Sequence, residues 1–213
     1  MPTQPYASEG ARPRVAGERE REILQAALDV LVEAGYDRLT MDAVAAAARA
    51  SKATLYRRWN TKQALVVDAV CSQSAPASVP DTGSLREDLV ANFCGLGGFG
   101  DPRGLAVLAA VVTAMARDAE FAQTYRRDFI GPKLAAARVI FERARDRGEL
   151  RADVDIDLLA PALPGIVLHR VFLLGEEATP ALIEQVVDRV ILPAATAGAV
   201  PAHDRPAPQG ADR

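Results

Sequence analysis

Residues 51–59 read SKATLYRRW, a run that combines a helix start signal with a clear separation of apolar from polar side chains. Ser51 is a favourable N-cap residue, so we expect a helix to begin at Lys52. Leu55 and Trp59 are four residues apart and can pack inward together, which leaves the other side chains facing out. The outward set mixes small, hydroxyl-bearing and cationic residues, a combination that suits the base edges and phosphates of DNA.

The flanking segments predict three further helices around this run. An apolar stripe that stops at Gly35 predicts a first helix from about Glu18 to Ala34. Thr40 is a good N-cap for a short second helix, and Asn60 with Thr61 is expected to cap a longer fourth one. Two short helices across a tight turn, braced by a longer first helix, form a helix-turn-helix unit.

The rest of the chain shows helical spacing of Ala, Leu, Arg and Glu without strand-like alternation, so the fold class is all-α. Ends rich in Pro and Ala predict a flexible N-terminal arm over residues 1–16 and a disordered tail over residues 198–213. Between them we predict a helix-turn-helix domain over residues 17–71 and a second helical domain over residues 72–197.

Punctuating residues predict the helices of the second domain. Ser84 and Glu87 suit a capping box, and Asp101-Pro102 suits a helix start. A break is expected at Gly131-Pro132, and Pro161 and Pro164 are expected to delay or kink the helix that contains them. The helices are predicted approximately over residues 85–94, 102–117, 119–147, 157–174 and 180–196.

The net charge of -3 argues against a uniformly basic nucleic-acid coat protein. The charge is uneven, however, because residues 49–62 contain five cations and no acid. Such a patch predicts phosphate binding that weakens with salt, although a solvated helix face is the simpler explanation of a charge run alone. The five cations are Arg49, Lys52, Arg57, Arg58 and Lys62.

The chain has few cysteine and histidine residues from which a metal site or a catalytic site could be built. Cys71, Cys94, His169 and His203 are the only such residues, and none has metal-ligand spacing. We therefore expect two unpaired, buried thiols, no metal, no cofactor and no enzymatic activity. Charged residues cut the apolar stretches before about 18 residues, and the N-terminus has no apolar signal core, which predicts a cytoplasmic protein without a membrane partner.

A longer pattern extends the run, since Ser-Lys-Ala-Thr-Leu-Tyr is followed by two residues, an aromatic, and Thr-Lys-x-x-Leu. With the helix order over residues 21–65, this resembles the DNA-binding domain of the TetR family of transcriptional regulators. Members are all-α homodimers whose last two helices form the dimer interface and whose C-terminal domain binds a small effector. The resemblance implies a double-stranded DNA operator and, most often, a repressor that its effector releases.

The resemblance also implies roles for individual residues. Thr40 and Ser51 would cap helices and touch phosphates, and the chain departs from the family at Arg49, where glycine is frequent. An arginine there is unusual if the position needs a positive φ, but it adds a cation aimed at the duplex. Arg12 and Arg14 resemble arms that enter the minor groove, with an exposed tail as the alternative. Bases would be contacted by Lys52, Ala53, Thr54 and Arg57, and the DNA backbone by Tyr56, Arg58 and Lys62.

Within the second domain, the resemblance implies an effector pocket and a dimer interface. Few buried charges are evident, so an apolar or aromatic effector is expected. The candidate lining residues, for which core packing is the alternative, are Phe93, Met115, Phe121, Tyr125, Phe129, His169 and Phe172. The candidate dimer stripes are Leu168, Val171 and Leu174 in one helix and Leu182, Val186, Arg189, Val190 and Pro193 in the next.

Other functions fit the same residues. A regulator of this fold can be an activator or act without a ligand, and a DNA-independent adaptor would show no steep salt-dependent DNA binding. A helical enzyme would need converging catalytic groups in the second domain. Asp153, Asp155 and Asp157 fit a solvated loop and a helix cap better than a catalytic set.

Overall fold

The computed structural model describes residues 16–73, 79–94 and 102–196. The described residues form helices and turns without a strand, which confirms the all-α fold class. Several predictions lie outside the described residues: most of the N-terminal arm with Arg12 and Arg14, the tail with His203, the Asp101 cap, and the side chain of Cys94.

The helices fall in two compact units that divide between Ser72 and Gln73, close to the boundary predicted after residue 71. The first unit holds α1 Ala16–Ala34, α2 Met41–Ala47, α3 Lys52–Arg58 and α4 Lys62–Cys71. The second holds α5 Leu85–Cys94, α6 Pro102–Arg117, α7 Ala119–Tyr125, α8 Gly131–Asp146, α9 Ile156–Leu159, α10 Ala162–Leu174, α11 Pro180–Val186 and α12 Leu192–Thr196.

In the first unit, α1 packs against both α2 and α4, and α2 packs against α3. The core is closely filled by aliphatic side chains with almost no exposed surface. Cys71, which was expected to be buried, is half-buried at the end of α4. The most deeply buried side chains of this unit include Leu28, Leu31, Leu39, Val44, Leu55, Leu65 and Ala69.

Hydroxyl caps start the three short helices of this unit. The side-chain oxygens of Thr40, Ser51 and Thr61 each accept a hydrogen bond from the backbone N–H three residues later, at 3.1, 3.1 and 3.2 Å. Each bond satisfies a donor that a helix N-terminus otherwise leaves without a partner. The three caps agree with the helix starts predicted from the sequence, with Thr61 rather than Asn60 as the cap of α4.

The turn between α2 and α3 places Arg49 at φ +50°, in the left-handed region. The N–H of Ala50 donates to the carbonyl of Ala45 at 2.8 Å, and the N–H of Arg49 donates to that of Ala46 at 3.1 Å. This pair of bonds is a Schellman motif, in which the left-handed position usually carries glycine. The guanidinium of Arg19, near the start of α1, donates to the Arg49 carbonyl at 2.7 Å. This hydrogen bond links the turn to α1.

The second unit is built around one apolar cluster that joins α5, α8, α10 and α11. A four-residue helix, α9, precedes α10, and Pro161 lies at the N-cap of α10. The prolines therefore delay α10, as predicted. The cluster includes Leu85, Phe93, Ile140, Phe141, Val167, Val187 and Ile191.

The break expected at Gly131-Pro132 does not form, because a π-helical turn over Arg126–Ile130 joins α7 to α8. The N–H of Gly131 donates to the carbonyl of Arg126, five residues back, so the helix changes register just before the proline. A second π turn, Val187–Ile191, joins α11 to α12 and precedes Pro193 in the same way. In both places the altered register accommodates a proline, which lacks the N–H for the ordinary bond.

The capping box predicted at Ser84 is replaced by contacts with Thr82 and with the distant Glu149. The N–H of Ser84 donates to Thr82 Oγ1 at 3.4 Å, and the N–H of Leu85 donates to Glu149 Oε2 at 2.8 Å. The fully buried Asp88 accepts bonds from the N–H and hydroxyl of Thr82 at 2.6 and 2.8 Å. The start of α5 is thus held by Asp88 in its first turn, by Thr82 just before the helix and by the distant Glu149.

Several apolar side chains near the C-terminal helices are exposed in the single chain. The stretch Ile156–Leu174, which contains α9 and α10, is long and apolar enough to cross a membrane by length and composition alone, and 28% of its apolar window is buried within the chain. Three residues of the predicted dimer stripes, Val171, Leu182 and Val186, instead lie in the cluster of their own chain, so that assignment is wrong for them. The large apolar residues exposed on α9, α10 and the second π turn are Leu158, Phe172, Leu173, Leu174 and Val190.

The left-handed turn gives a stability prediction. Arg49→Gly is expected to raise the free energy of unfolding of the first unit by about 1 kcal/mol, because a residue with a Cβ costs roughly 1–2 kcal/mol in that region and glycine's unfolded-state entropy offsets part of the gain. Urea unfolding followed by the fluorescence of Trp59, the only tryptophan, measures it.

Ala46→Gly is the matched control, because Ala46 is exposed and helical in α2, and its carbonyl, which accepts from the N–H of Arg49, is unchanged by the substitution. It is expected to lower the free energy of unfolding by about 1 kcal/mol. A loss of stability in Arg49→Gly similar to that in the control would contradict the assignment of strain to this turn.

Candidate nucleic-acid interface

The inward side of α3 is anchored by Leu55 and Trp59, which are 0% and 3% exposed, as the four-residue spacing predicted. The indole Nε1–H of Trp59 donates to Asp68 Oδ2 on α4 at 2.8 Å. These contacts fix the rotation of α3 about its axis, so the remaining side chains point away from the core. Ser51, Lys52, Ala53, Tyr56, Arg57 and Arg58 are exposed, and Thr54 is half-buried.

The hydroxyls at the start of α3 form a small ordered pair. The oxygens of Ser51 and Thr54 are 2.8 Å apart and share a hydrogen bond, while Ser51 also caps the helix. Ala53 lies between them and presents only a methyl group. The start of α3 therefore offers a low, partly polar surface that a base edge can approach closely.

Three of the five predicted cations already have partners. Lys52 Nζ donates to Asp42 Oδ2 at 2.6 Å, and this hydrogen bond raises the pKa of Lys52 above its ordinary value. Arg58 donates to Glu20 Oε1 at 3.0 Å. Lys62 donates to the carbonyl of Tyr36 at 3.3 Å and lies 4.2 Å from the centre of its ring.

The guanidinium groups of Arg49 and Arg57 are exposed and make no hydrogen bond or ion pair with any residue in the described ranges. The local charge of +5 over residues 49–62 falls to +3 once the carboxylates of Asp42 and Glu20 are included. Counting charge within a window of sequence missed these acids, because they come from α2 and α1.

The effector candidates fall into separate groups. Phe93 is buried in the apolar cluster, and Met115 is half-buried on α6. His169 and Phe172 are exposed on α10, so the single chain does not enclose them. The remaining three form an aromatic stack: Phe121 and Tyr125 at 5.9 Å between ring centres, and Tyr125 and Phe129 at 4.8 Å.

The acids considered as an alternative catalytic set have structural partners. Asp155 caps α9 by accepting from the N–H of Leu158, Asp157 pairs with Arg138, and Asp153 pairs with Arg151. Within residues 16–73, 79–94 and 102–196, no three His, Cys, Asp or Glu side chains converge into a metal-binding group.

Residues 23–69 match the family described as bacterial regulatory proteins, tetR family, and residues 79–190 match the one described as tetracyclin repressor-like, C-terminal domain. The HTH-type transcriptional regulator YdeS of Bacillus subtilis is 33% identical, over 84% of this chain and 91% of its own. The DNA-binding transcriptional repressor TetR of Mycobacteroides abscessus is 36% identical, over 82% and 92%.

A solved structure, that of the TetR family transcription regulator SCO0332, has the same fold with a TM-score of 0.61 and 32% sequence identity, and the match covers 82% of this chain and 97% of that one. The matches of sequence and structure extend over both units and are not confined to α3, the recognition helix of the helix-turn-helix. The chain therefore belongs to the TetR family of helix-turn-helix transcriptional regulators.

Proposed function

We propose that this regulator is a cytoplasmic, homodimeric repressor that binds a double-stranded DNA operator through α3 and releases it when an apolar or aromatic small molecule binds the second unit. Members of the family bind DNA operators and small-molecule effectors and act as dimers. The observation that carries the proposal is Arg57, an exposed guanidinium without a described partner on a helix whose other side is locked by Leu55 and Trp59. The proposal requires neither a cofactor nor catalysis.

The chemistry of α3 suits major-groove recognition. A guanidinium is a planar fork that can donate two parallel bonds to O6 and N7 of guanine, so Arg57 is assigned to a base. The methyl of Ala53 and the side chain of Thr54 suit a thymine methyl and a polar base edge. Phosphate contacts, which hold the helix in register, are assigned to Thr40, Arg49, Ser51, Tyr56, Arg58 and Lys62, with Lys52 at the bases.

A dimer accounts for the exposed apolar side chains at the end of α10 and in the second π turn. Leu173 is 73% exposed, and Phe172, Leu174 and Val190 are exposed with it. Exposed apolar side chains of this kind are typical of a protein contact, and a two-fold dimer uses the same surface on both copies. Two α3 helices related by that symmetry would read a nearly palindromic site in successive major grooves.

The aromatic stack supports the choice of effector. Phe129 is half-buried at the end of the stack, and Lys133 Nζ lies 4.5 Å from the centre of its ring. A planar apolar or aromatic molecule can add to such a stack by ring contact. Release follows by linkage, because an effector that prefers the conformation with low operator affinity lowers that affinity.

Selection of genomic DNA fragments by the purified chain tests the whole proposal. The expected result is a short, nearly palindromic sequence bound at physiological salt, with occupancy that falls when planar aromatic compounds are added. Electrophoretic mobility shift of the selected fragment measures both effects. Enrichment without a palindrome, or occupancy that rises with the active compound, would contradict the repressor proposal.

Arg57→Ala is expected to reduce operator affinity by about 1–3 kcal/mol and to relax the preference at one base pair, because the bidentate contact is lost. Arg57→Lys is the matched control, since it keeps the charge but not the planar fork. It should retain the salt dependence of binding and still lose the base preference. Fluorescence anisotropy with single-base operator variants measures the base preference of both variants. An unchanged preference in Arg57→Ala and in Arg57→Lys would contradict the assignment of Arg57 to a base.

Leu173→Asp is expected to convert the dimer to a monomer and to weaken operator binding, because a carboxylate would be buried in an apolar contact. Val112→Asp is the control, since Val112 is also an exposed apolar residue, 54% exposed, but belongs to α6 and not to the helices that carry the proposed interface. Sedimentation equilibrium measures the assembly of each variant. If Leu173→Asp remains a dimer, the interface lies elsewhere.

A further inference from the structure

The DNA-facing surface of the first unit carries two acidic side chains that bind its cations directly. Asp42 lies in the first turn of α2 and reaches Lys52, the first residue of α3, at 2.6 Å. Glu20 lies on α1 and reaches Arg58, the last residue of α3, at 3.0 Å. Both ends of the recognition helix are thus tied by an ion pair to a different helix.

These ion pairs contribute little to folding. The side chains of Lys52 and Asp42 are 64% and 59% exposed, and water screens such contacts strongly. A carboxylate on this surface also repels phosphates, so its presence opposes DNA binding in general. An explanation in terms of recognition therefore accounts for them better than one in terms of stability.

We propose that Asp42 and Glu20 are specificity-determining positioning residues, which weaken binding to arbitrary DNA more than binding to the operator. The inference rests on the proposed DNA-binding function and deepens it. Non-specific affinity comes from the attraction between cations and phosphates, so lowering the local charge from +5 to +3 reduces it directly.

The two carboxylates affect operator binding less, because Lys52 and Arg58 each have more N–H donors than the ion pair uses. The ammonium of Lys52 has three N–H donors and can keep its bond to Asp42 while donating the others to a guanine. The guanidinium of Arg58 has five, of which one bonds Glu20 in the free protein. On the operator α3 binds in one register, so the carboxylates direct the donors of Lys52 toward bases and those of Arg58 toward one phosphate. On other sequences the base acceptors of Lys52 are missing and that register is not held, so the repulsion between carboxylates and phosphates dominates.

The test compares wild type with Asp42→Asn and Glu20→Gln, which keep size and remove one charge each. Affinities for the selected operator and for scrambled DNA are measured by fluorescence anisotropy over a range of salt concentrations. Each variant is expected to bind scrambled DNA about fivefold more tightly at roughly 0.1 M salt, with a log–log salt slope steeper by about 0.9. Operator affinity should change less, so the specificity ratio falls.

Glu33→Gln is the charge-matched control, because Glu33 is exposed on α1 and pairs with no cation in the described ranges. It should leave the specificity ratio unchanged. An equal fall of the ratio in this control, or an unchanged ratio in Asp42→Asn and Glu20→Gln, overturns the inference. Thermal unfolding of every variant ensures that the folded protein is being compared.

A second background separates positioning from bulk charge. In Lys52→Gln, the additional change Asp42→Asn should lower the specificity ratio less than it does in wild type, because the repulsion of phosphates is still removed but the directed bond to Lys52 is already absent. An equal effect in both backgrounds would show that Asp42 acts through its charge alone and would overturn its positioning role. If wild type binds no selected sequence more tightly than scrambled DNA, the proposed function fails as well, an outcome distinct from an unchanged ratio in a specific binder.

Discussion

The buried indole of Trp59 and its hydrogen bond to Asp68 hold the recognition helix in place. A seven-residue helix is too short to be stable alone, so α3 exists only because its neighbours support it. Leu55 anchors its middle, Trp59 its end and the Ser51 cap its beginning. With three points of support the helix cannot rotate, and the direction of every outward side chain follows from that constraint.

Features set by neighbouring residues were predictable from the sequence, and those set by distant residues were not. The caps at Thr40 and Ser51 act over three residues, so a short pattern contains both donor and acceptor. The start of α5 was misjudged because Glu149, far along the chain, takes the place of the predicted box. The charge of the candidate interface was overestimated for the same reason, since the compensating acids belong to other helices.

The second unit shows a different limit of the sequence. A helical period identifies an apolar face but not what covers it, and α10 is apolar on more than one side. Val171 packs into the chain's own cluster, whereas Leu173, two positions later, is exposed. The break predicted at Gly131-Pro132 was wrong for a related reason. A π turn before Pro132 changes the hydrogen-bond register of the helix and lets the helix continue. Such a turn leaves little trace in composition.

The bond from Arg19 to the carbonyl of Arg49 has a consequence for chimeras. Exchange of recognition helices between relatives usually treats the helix-turn-helix as a module that can be cut out and transplanted. Here a graft of residues 40–62 would leave behind the guanidinium that holds the left-handed turn and the carboxylate of Glu20 that ties Arg58. The smallest transplantable unit therefore includes the first turns of α1, about thirty residues upstream of the turn it supports.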